Sequence, residues 1–517
     1  MSLFTLAAYG MLCAAVYHIL PRRVRWLVLL AASYGFYASR SLSSLPFILV
    51  TTLSTWLGAL RIDRLAADAK ARLKAEKATL SSEEKKQLKA RARSRERVWL
   101  YAVLVLNFAL LAVLKYTDDV LSLAGRSALG LLLPLGISFY TFQSMGYLID
   151  VYNGKYAAER SLPRFALFVS FFPQLIQGPI GRYDQLGSQL REPHDFDYDN
   201  MVRGLMLMLW GLFKKLVIAD RAMGLVDTVF SAPAGEYGGA ASVVAVLFYA
   251  VQQYCDFSGG IDLVTGAAEL MGIHLAPNFR RPYFAVSLGD FWRRWHISLG
   301  AWMRDYVFYP FALTKPMTRL SRAAKGVLGA DVARALPAAL GNILVFLLVG
   351  VWHGASMNYV LWGLYNGVIL AASALLEPAY KHANERLGRL TRTRGFHVLR
   401  VLRTFLIVNI GWYFDRCARA ADAFAMLGRT VSAPRLSQLT DGTLLTLGLK
   451  AGDYRILAVS TAILFAVSLL QERGVSIRTS VLRLPTPVRV LLLYGFMYFV
   501  LAAFAGAESA GFMYAIF

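Results

Sequence analysis

Cysteine is close to absent from this sequence. The 517 residues hold three, Cys13, Cys255 and Cys417, far apart and each in or beside an apolar stretch. No CxxC and no Cys/His ligand spacing occurs, which argues against a disulfide framework or a zinc site. All three read as small apolar packing residues, and no metal ligand is expected. Charge is also sparse: Asp, Glu, Lys and Arg make up 17%, against about a quarter in a soluble chain. Acidic side chains are the scarcer sign, 32 against 55 Lys and Arg, for a net charge of +23. In a soluble protein that excess would suggest nucleic acid. Here the basic residues cluster between apolar runs, and no basic-aromatic module stands apart from them. The positive-inside rule accounts for them better, and no nucleic-acid partner is expected.

What the chain has in excess is apolar length. Hydrophobic residues make up 57%, and the mean hydropathy is +0.47. Runs long enough for a bilayer fall at 3–20, 26–39, 44–60, 98–115, 129–149, 165–180, 201–219, 239–257, 335–352, 355–376, 400–414, 455–471 and 488–506. Some are short or broken, so about eleven true spans are expected, with re-entrant pieces making up the rest. The run at 3–20 has no basic leader and ends in Arg22-Arg23 rather than a small-residue cleavage site. It reads as a retained span.

Orientation follows from the first loops. Arg22, Arg23 and Arg25 follow the first run, only Arg40 follows the second, and 61–97 follows the third with thirteen Lys/Arg and six Asp/Glu. Alternation puts the two basic loops on one side, the cytoplasmic one, and the N-terminus outside. Segment 61–97 lacks Gly and Pro and reads as a solvated helical hairpin broken at Ser81-Ser82.

The irregular middle is where chemistry is expected. Residues 171–186 read FFPQLIQGPIGRYDQL, where Pro173, Gly178 and Pro179 interrupt an apolar run. Such breaks persist at membrane depth only where protein or a wet cavity satisfies the freed backbone. Residues 254–262 read YCDFSGGID; Asp256 and Asp262 suggest a polar pocket or arginine partners, or a helix N-cap by Asp256 or Ser258. Residues 290–310 read DFWRRWHISLGAWMRDYVFYP, with Arg293, Arg294, Arg304, Asp290 and Asp305 among aromatics. That mixture suits a helix lying in the interface or lining a wet cavity. In a continuous helix Arg293 and His296 would share a face.

The stretch 335–376 holds no Asp, Glu, Lys or Arg, and its sole histidine is His353, within LLVGVWHGASMNYVLWG. An imidazole there needs a cavity and partners. A hydrogen bond between helices is the plainer alternative. The stretch fits one long element or two short spans with His353 at the hairpin turn.

RWHIS around His296, then RDYVFYP, then GVWHGASMNYVLWG around His353 closely resemble the membrane-bound O-acyltransferase (MBOAT) family. LPLGISFYTFQSMGYLIDVY at 133–152, FFPQLIQGPIGRYDQL, GLFKKLVIADR at 211–221, YCDFSGGIDL and GWYF at 411–414 fit the same pattern. The resemblance covers roughly 100–415 and looks closest to the bacterial branch that acylates envelope polysaccharides: alginate O-acetylases, peptidoglycan O-acetyltransferases and teichoic acid D-alanyl transferases. The long insertion at 61–97 departs from it.

The resemblance implies an all-α polytopic bundle with a central funnel. It implies that His353 matches the catalytic histidine and His296 a second functional one. A neutral imidazole is suited to taking the proton of an attacking hydroxyl. The implied donor is a cytoplasmic thioester, acetyl-CoA or an acyl carrier, with no permanently bound cofactor. Arg293 and Arg294 are candidates for its phosphates, Trp352 and Asn358 for polarising its carbonyl, and Asp256, Arg304 and Asp305 for substrate contacts. The final GFMYAIF is similar to the FxYxxF endings of envelope-acylation systems, where the tyrosine is proposed to carry the acyl group. That makes Tyr514 a candidate carrier, serving an extracytoplasmic SGNH-type partner and a glycan acceptor.

The expected organisation is N-terminal spans at 1–60, a basic cytoplasmic insertion at 61–97, a catalytic core at 98–415, and C-terminal spans with an aromatic tail at 416–517. The expected location is the bacterial inner membrane with both termini outside. A lipid or protein O-acyltransferase of the same family and a transporter or flippase are the competing readings; no internal repeat of the kind found in transporters is evident.

Overall fold

A computed structural model describes residues 3–233, 235–505 and 511. Among the described residues every regular element is helical. Six helices are long and apolar enough to cross a membrane: one within 42–75, then 82–122, Gly239–Glu269, Ala330–His353, Ala451–Glu472 and Thr486–Phe504. A pair bent by 62°, Met357–Leu375 with Glu377–Arg392, is a broken span or a re-entrant loop. Leu3–Ile19 is a shorter apolar helix, and several of the apolar runs are not continuous helices. The run 129–149 becomes helical only at Ile137. The run 165–180 is split into Leu162–Ser170 and Phe172–Gln177. The run 201–219 passes into a π-helix, Phe213–Ala219.

The chain forms two units. One comprises Leu6–Met201 with Ala267–Ala276. Its long hairpin joins Leu45–Ala75 to Ser82–Leu123 across a turn at 76–81. The turn ends where sequence suggested, in a capping box: the Glu84 amide donates to Ser81 Oγ and the Ser81 amide to Glu84, satisfying two otherwise orphaned donors. The helix Ile137–Tyr152 is buried along nearly its whole length. Its Gln143 stitches the broken segment together, donating to the Phe168 carbonyl and accepting from the Gly181 amide. Gln174 donates to the Pro179 carbonyl. Protein groups therefore satisfy backbone that Gly178 and Pro179 leave without a helical partner.

The other unit comprises Met1–Thr5, Val202–Gly266 and Pro277–Phe517. At its centre is the hairpin of Ala330–His353 and Met357–Leu375. Its helices meet backbone to backbone. A Cβ on Gly363 would collide with the Phe346 carbonyl and come within 3.3 Å of the Gly350 Cα; one on Gly350 would collide with the Tyr359 carbonyl. Only glycine fits where the partner is rigid backbone. Gly363→Ala should therefore cost about 1–3 kcal/mol through overpacking and lower the thermal midpoint in detergent. Because the hairpin carries Trp352, His353 and Trp362, acyl transfer should fall with it. An unchanged midpoint would show that the helices separate without penalty.

Candidate active site

His353 is the last residue of Ala330–His353, and the chain turns through 354–356 into the next helix. Of the two arrangements open from sequence, the chain adopts the hairpin with His353 at its turn. The last carbonyls of a helix carry partial negative charge and stabilise a nearby cation. A histidine that accepts a proton during reaction is thus favoured here. The ring is buried and held by Trp352 at 5.0 Å, Trp362 at 5.1 Å and Tyr359, stacked, at 5.8 Å between centroids.

Two cavities meet at this residue. The larger, about 740 Å³, is lined by Trp292, Trp295, Trp362 and Trp412, by Phe308 and Phe346, and by His296. Arg280, Arg281, Arg293, Arg294 and Arg304 also border it. The smaller, about 390 Å³, is polar: Asp227, Gln252, Gln253, Ser356, Asn358 and Asp415 are among its walls. His353 is the one residue common to the two linings. In the polar cavity Asp415 accepts hydrogen bonds from the Tyr249 hydroxyl (2.5 Å) and the Gln253 amide (2.9 Å).

His296 occupies the first cavity, but not on a continuous helix. Leu288–Arg294 ends before it, Trp295 is extended, and His296 itself is left-handed at φ 44° before Ile297–Met303 begins. The helical register that would have aligned Arg293 with His296 is therefore broken. A residue absent from the sequence reading, Asn278, organises this break. Its Oδ1 accepts from the Ser298 amide and hydroxyl, both at 2.9 Å, and its carbonyl accepts from the Ile297 amide. A backbone N–H only donates, so the atom facing it is the amide oxygen. The contact of His296 Nδ1 with the same oxygen, 3.3 Å, then requires the proton on Nδ1 and leaves Nε2 as acceptor. Burial pushes the His296 pKa down to about 3, so this imidazole stays neutral at physiological pH. The RWHIS motif and the spacing from Arg293 drew attention to His296; nothing local in PNFRRPYF marks Asn278, which lies eighteen residues earlier.

The remaining sequence candidates divide sharply. Trp352 is buried between the two histidines, its ring centroid 5.0 Å from His353 and 6.5 Å from His296. Asn358 donates both amide hydrogens, to the Phe414 and Cys417 carbonyls at 3.1 and 3.0 Å, so neither remains to polarise a thioester. Arg293 is mostly exposed at the cavity edge, 3.7 Å from Asp290. Arg294 is held between Asp290 at 3.2 Å and Glu472 at 3.0 Å, and Arg304 pairs with Asp305 at 2.9 Å. Tyr514, with Phe512 and Phe517, lies outside the described residues.

Asp256 is a correction. It sits inside the unbroken helix Gly239–Glu269, so neither it nor Ser258 caps a helix, and it lines neither cavity. Its carboxylate pairs with Lys215, which also meets Asp220 at 2.7 Å; all three side chains are about 1–2% exposed. Asp262 pairs with Lys214 at 2.7 Å. The partners of YCDFSGGID are the lysines of GLFKKLVIADR rather than arginines, on a π-helix, a rare geometry often found near functional sites.

Fold and site together define a multi-pass helical membrane protein with a buried histidine between two cavities. A family model described as MBOAT, membrane-bound O-acyltransferase family, matches residues 157–323. His296 falls inside that match and His353 beyond it. The chain is 33% identical over 429 residues to "Probable alginate O-acetylase AlgI" of Pseudomonas syringae pv. tomato, covering 81% of this chain and 72% of that protein. It is 32% identical over 439 residues to "Peptidoglycan O-acetyltransferase" of Helicobacter pylori, covering 78% and 72%. With "Teichoic acid D-alanyltransferase" of Bacillus subtilis it shares 29% over 289 residues, 54% of this chain and 67% of that one. The chain belongs to the membrane-bound O-acyltransferase family, and it is an O-acyltransferase.

Proposed function

We propose that this enzyme moves an acetyl group from a thioester donor in the aromatic cavity to a hydroxyl in the polar one, for O-acetylation of an exported envelope polysaccharide. The observation that carries this reading is the shared wall: His353 borders both cavities. An aromatic chamber edged by arginines suits an acyl thioester with a phosphorylated arm, acetyl-CoA or an acyl carrier. Exposed Arg293 is the residue assigned to its phosphates. A chamber lined by amides and carboxylates suits a hydroxylated acceptor.

In the reaction His353 takes the hydroxyl proton as the oxygen attacks the thioester carbonyl. The C–S bond then breaks, and the thiolate leaves with the proton returned by the imidazolium. Neutral His296, oriented by Asn278, serves as a polar wall rather than the base, because a group with its pKa near 3 is too weak to take that proton at neutral pH. The donor is assigned to the cytoplasmic side of the inner membrane. The acceptor side and the N-terminus are assigned to the outside, by the basic loops, and the relay requires the C-terminal tail to reach that side.

The first acceptor in this scheme is Tyr514. Lys215 Nζ donates to the Gly511 carbonyl at 3.0 Å, and Lys215 pairs with Asp256. Gln252 and Gln253, one turn away on that helix, line the polar cavity. The acetyl-tyrosine then passes its group to an SGNH-type partner and the glycan.

Incubating proteoliposomes with radiolabelled acetyl-CoA and mapping the label by mass spectrometry tests this directly. Acetyl on Tyr514, absent in Tyr514→Phe with the protein still in the membrane, is the expected result. Normal polymer acylation by Tyr514→Phe removes the relay. Label released as free product without modifying protein or glycan removes the transfer.

A further inference from the structure

Trp362 lines the aromatic cavity together with His353 and is 2% exposed. Its ring lies among other walls of that chamber, 5.1 Å from His353, 5.6 Å from Trp292 and 6.5 Å from Trp412 between centroids. The Trp362 Nε1–H is buried and has no hydrogen-bond partner among the described residues. A buried indole N–H ordinarily finds an acceptor, and leaving one unmet is destabilising. Several neighbouring donors are committed elsewhere. Trp292 Nε1 donates to Asn366 Oδ1 at 3.1 Å, and the Asn366 amide donates to the Trp362 carbonyl at 2.9 Å. These two bonds tie Trp292 to the helix that carries Trp362. The Trp412 Nε1–H also lacks a close bond, but Trp412 interacts with the Tyr283 hydroxyl. Asn358 has given both amide hydrogens to carbonyls. Trp352 packs on His353 too, but it is not among the walls of this cavity.

We propose that the Trp362 N–H donates to the thioester carbonyl oxygen as the acyl group is attacked, which makes Trp362 a catalytic residue. The proposal rests on assigning the aromatic cavity to the thioester. When the hydroxyl oxygen bonds to the carbonyl carbon, His353 takes its proton and the C=O electron pair moves onto oxygen. The Trp362 N–H holds that oxyanion. When the pair returns, the C–S bond breaks, and the thiolate takes the proton back from the imidazolium. A separation of 5.1 Å between the two rings allows a reacting centre about 3 Å from both base and donor. A donor fixed by packing and screened from water needs no reorganisation as charge develops, and it acts most strongly where water is excluded.

The test is acetyl-CoA turnover by the full chain in proteoliposomes, read as release of coenzyme A, beside a thermal melt of each preparation. Trp362→Phe keeps an aromatic ring against His353 and removes the N–H. Trp362→benzothienylalanine keeps the bicyclic shape as well and puts sulfur in place of the N–H. Both should lower kcat by about a hundred-fold, the loss expected for one oxyanion donor, with KM for acetyl-CoA within about three-fold of the parent. The benzothienyl variant should melt with the parent, and if Trp362→Phe melts early the isosteric variant decides alone. A benzothienyl variant with the parent's kcat overturns the assignment, because ring shape then suffices. A raised KM at unchanged kcat also overturns it, leaving Trp362 as a wall of the donor site. Release of coenzyme A does not depend on which hydroxyl is acylated, so missing label on Tyr514 removes the relay and leaves this ratio to test Trp362. A parent that releases no coenzyme A removes the transfer itself, and this assignment with it.

Discussion

His353→Ala should reduce acyl transfer by about three orders of magnitude while leaving a folded, membrane-inserted protein. General-base catalysis is typically worth about 10²–10⁴-fold, and His353 is the histidine that borders both cavities. It is also placed at a helix C-terminus, where the imidazolium formed on proton uptake is stabilised. The side chain closes one end of a hairpin whose packing depends on Gly350 and Gly363 further along, so its loss leaves that contact intact. The measurement is label transfer from acetyl-CoA in proteoliposomes, beside a thermal melt of the same preparation. Transfer within ten-fold of the parent, with an unchanged melt, would falsify the assignment of the base.

Lys215→Met should be the most damaging substitution for the fold itself. Lys215 lies between Asp220 and Asp256 with almost no exposure. Removing it leaves two carboxylates facing each other in an apolar interior. Breaking a buried pair in this way costs about 3–5 kcal/mol, mainly because the remaining charge is uncompensated. The variant should therefore melt well below the parent or fail to yield monodisperse protein. Lys215→Met combined with Asp256→Asn should recover much of the loss, since it removes one orphaned charge together with its partner. Equal melting of the single and double variants would mean the pairing carries no such energy.

Much of this enzyme was legible along the chain. The apolar runs and the basic loops between them mark a multi-pass protein because bilayer thickness imposes a length on each span. The turn at Ser81 is local chemistry, a cap readable from four residues. His353 stands out because it is the sole histidine in a stretch without Asp, Glu, Lys or Arg. The ordered motifs around it carried family membership. The number of spans was less legible: Pro173, Gly178 and Pro179 announce a break in one run, but nothing in composition marks the π-helix at 213–219.

Composition and motif order by themselves determined the helical class, the membrane setting and the family, since each rests on short-range pattern, and they singled out the two histidines as candidates. Only tertiary structure decided what those residues face. It turned Asp256 from a pocket carboxylate into a partner of Lys215, 41 residues away. It committed Asn358 to carbonyls more than fifty residues distant, and brought Asn278 to His296. It also set His353 between an aromatic cavity and a polar one. Hydrogen-bond partners and cavity walls are assembled from segments remote in sequence, and their distances exist only once the chain has closed on itself.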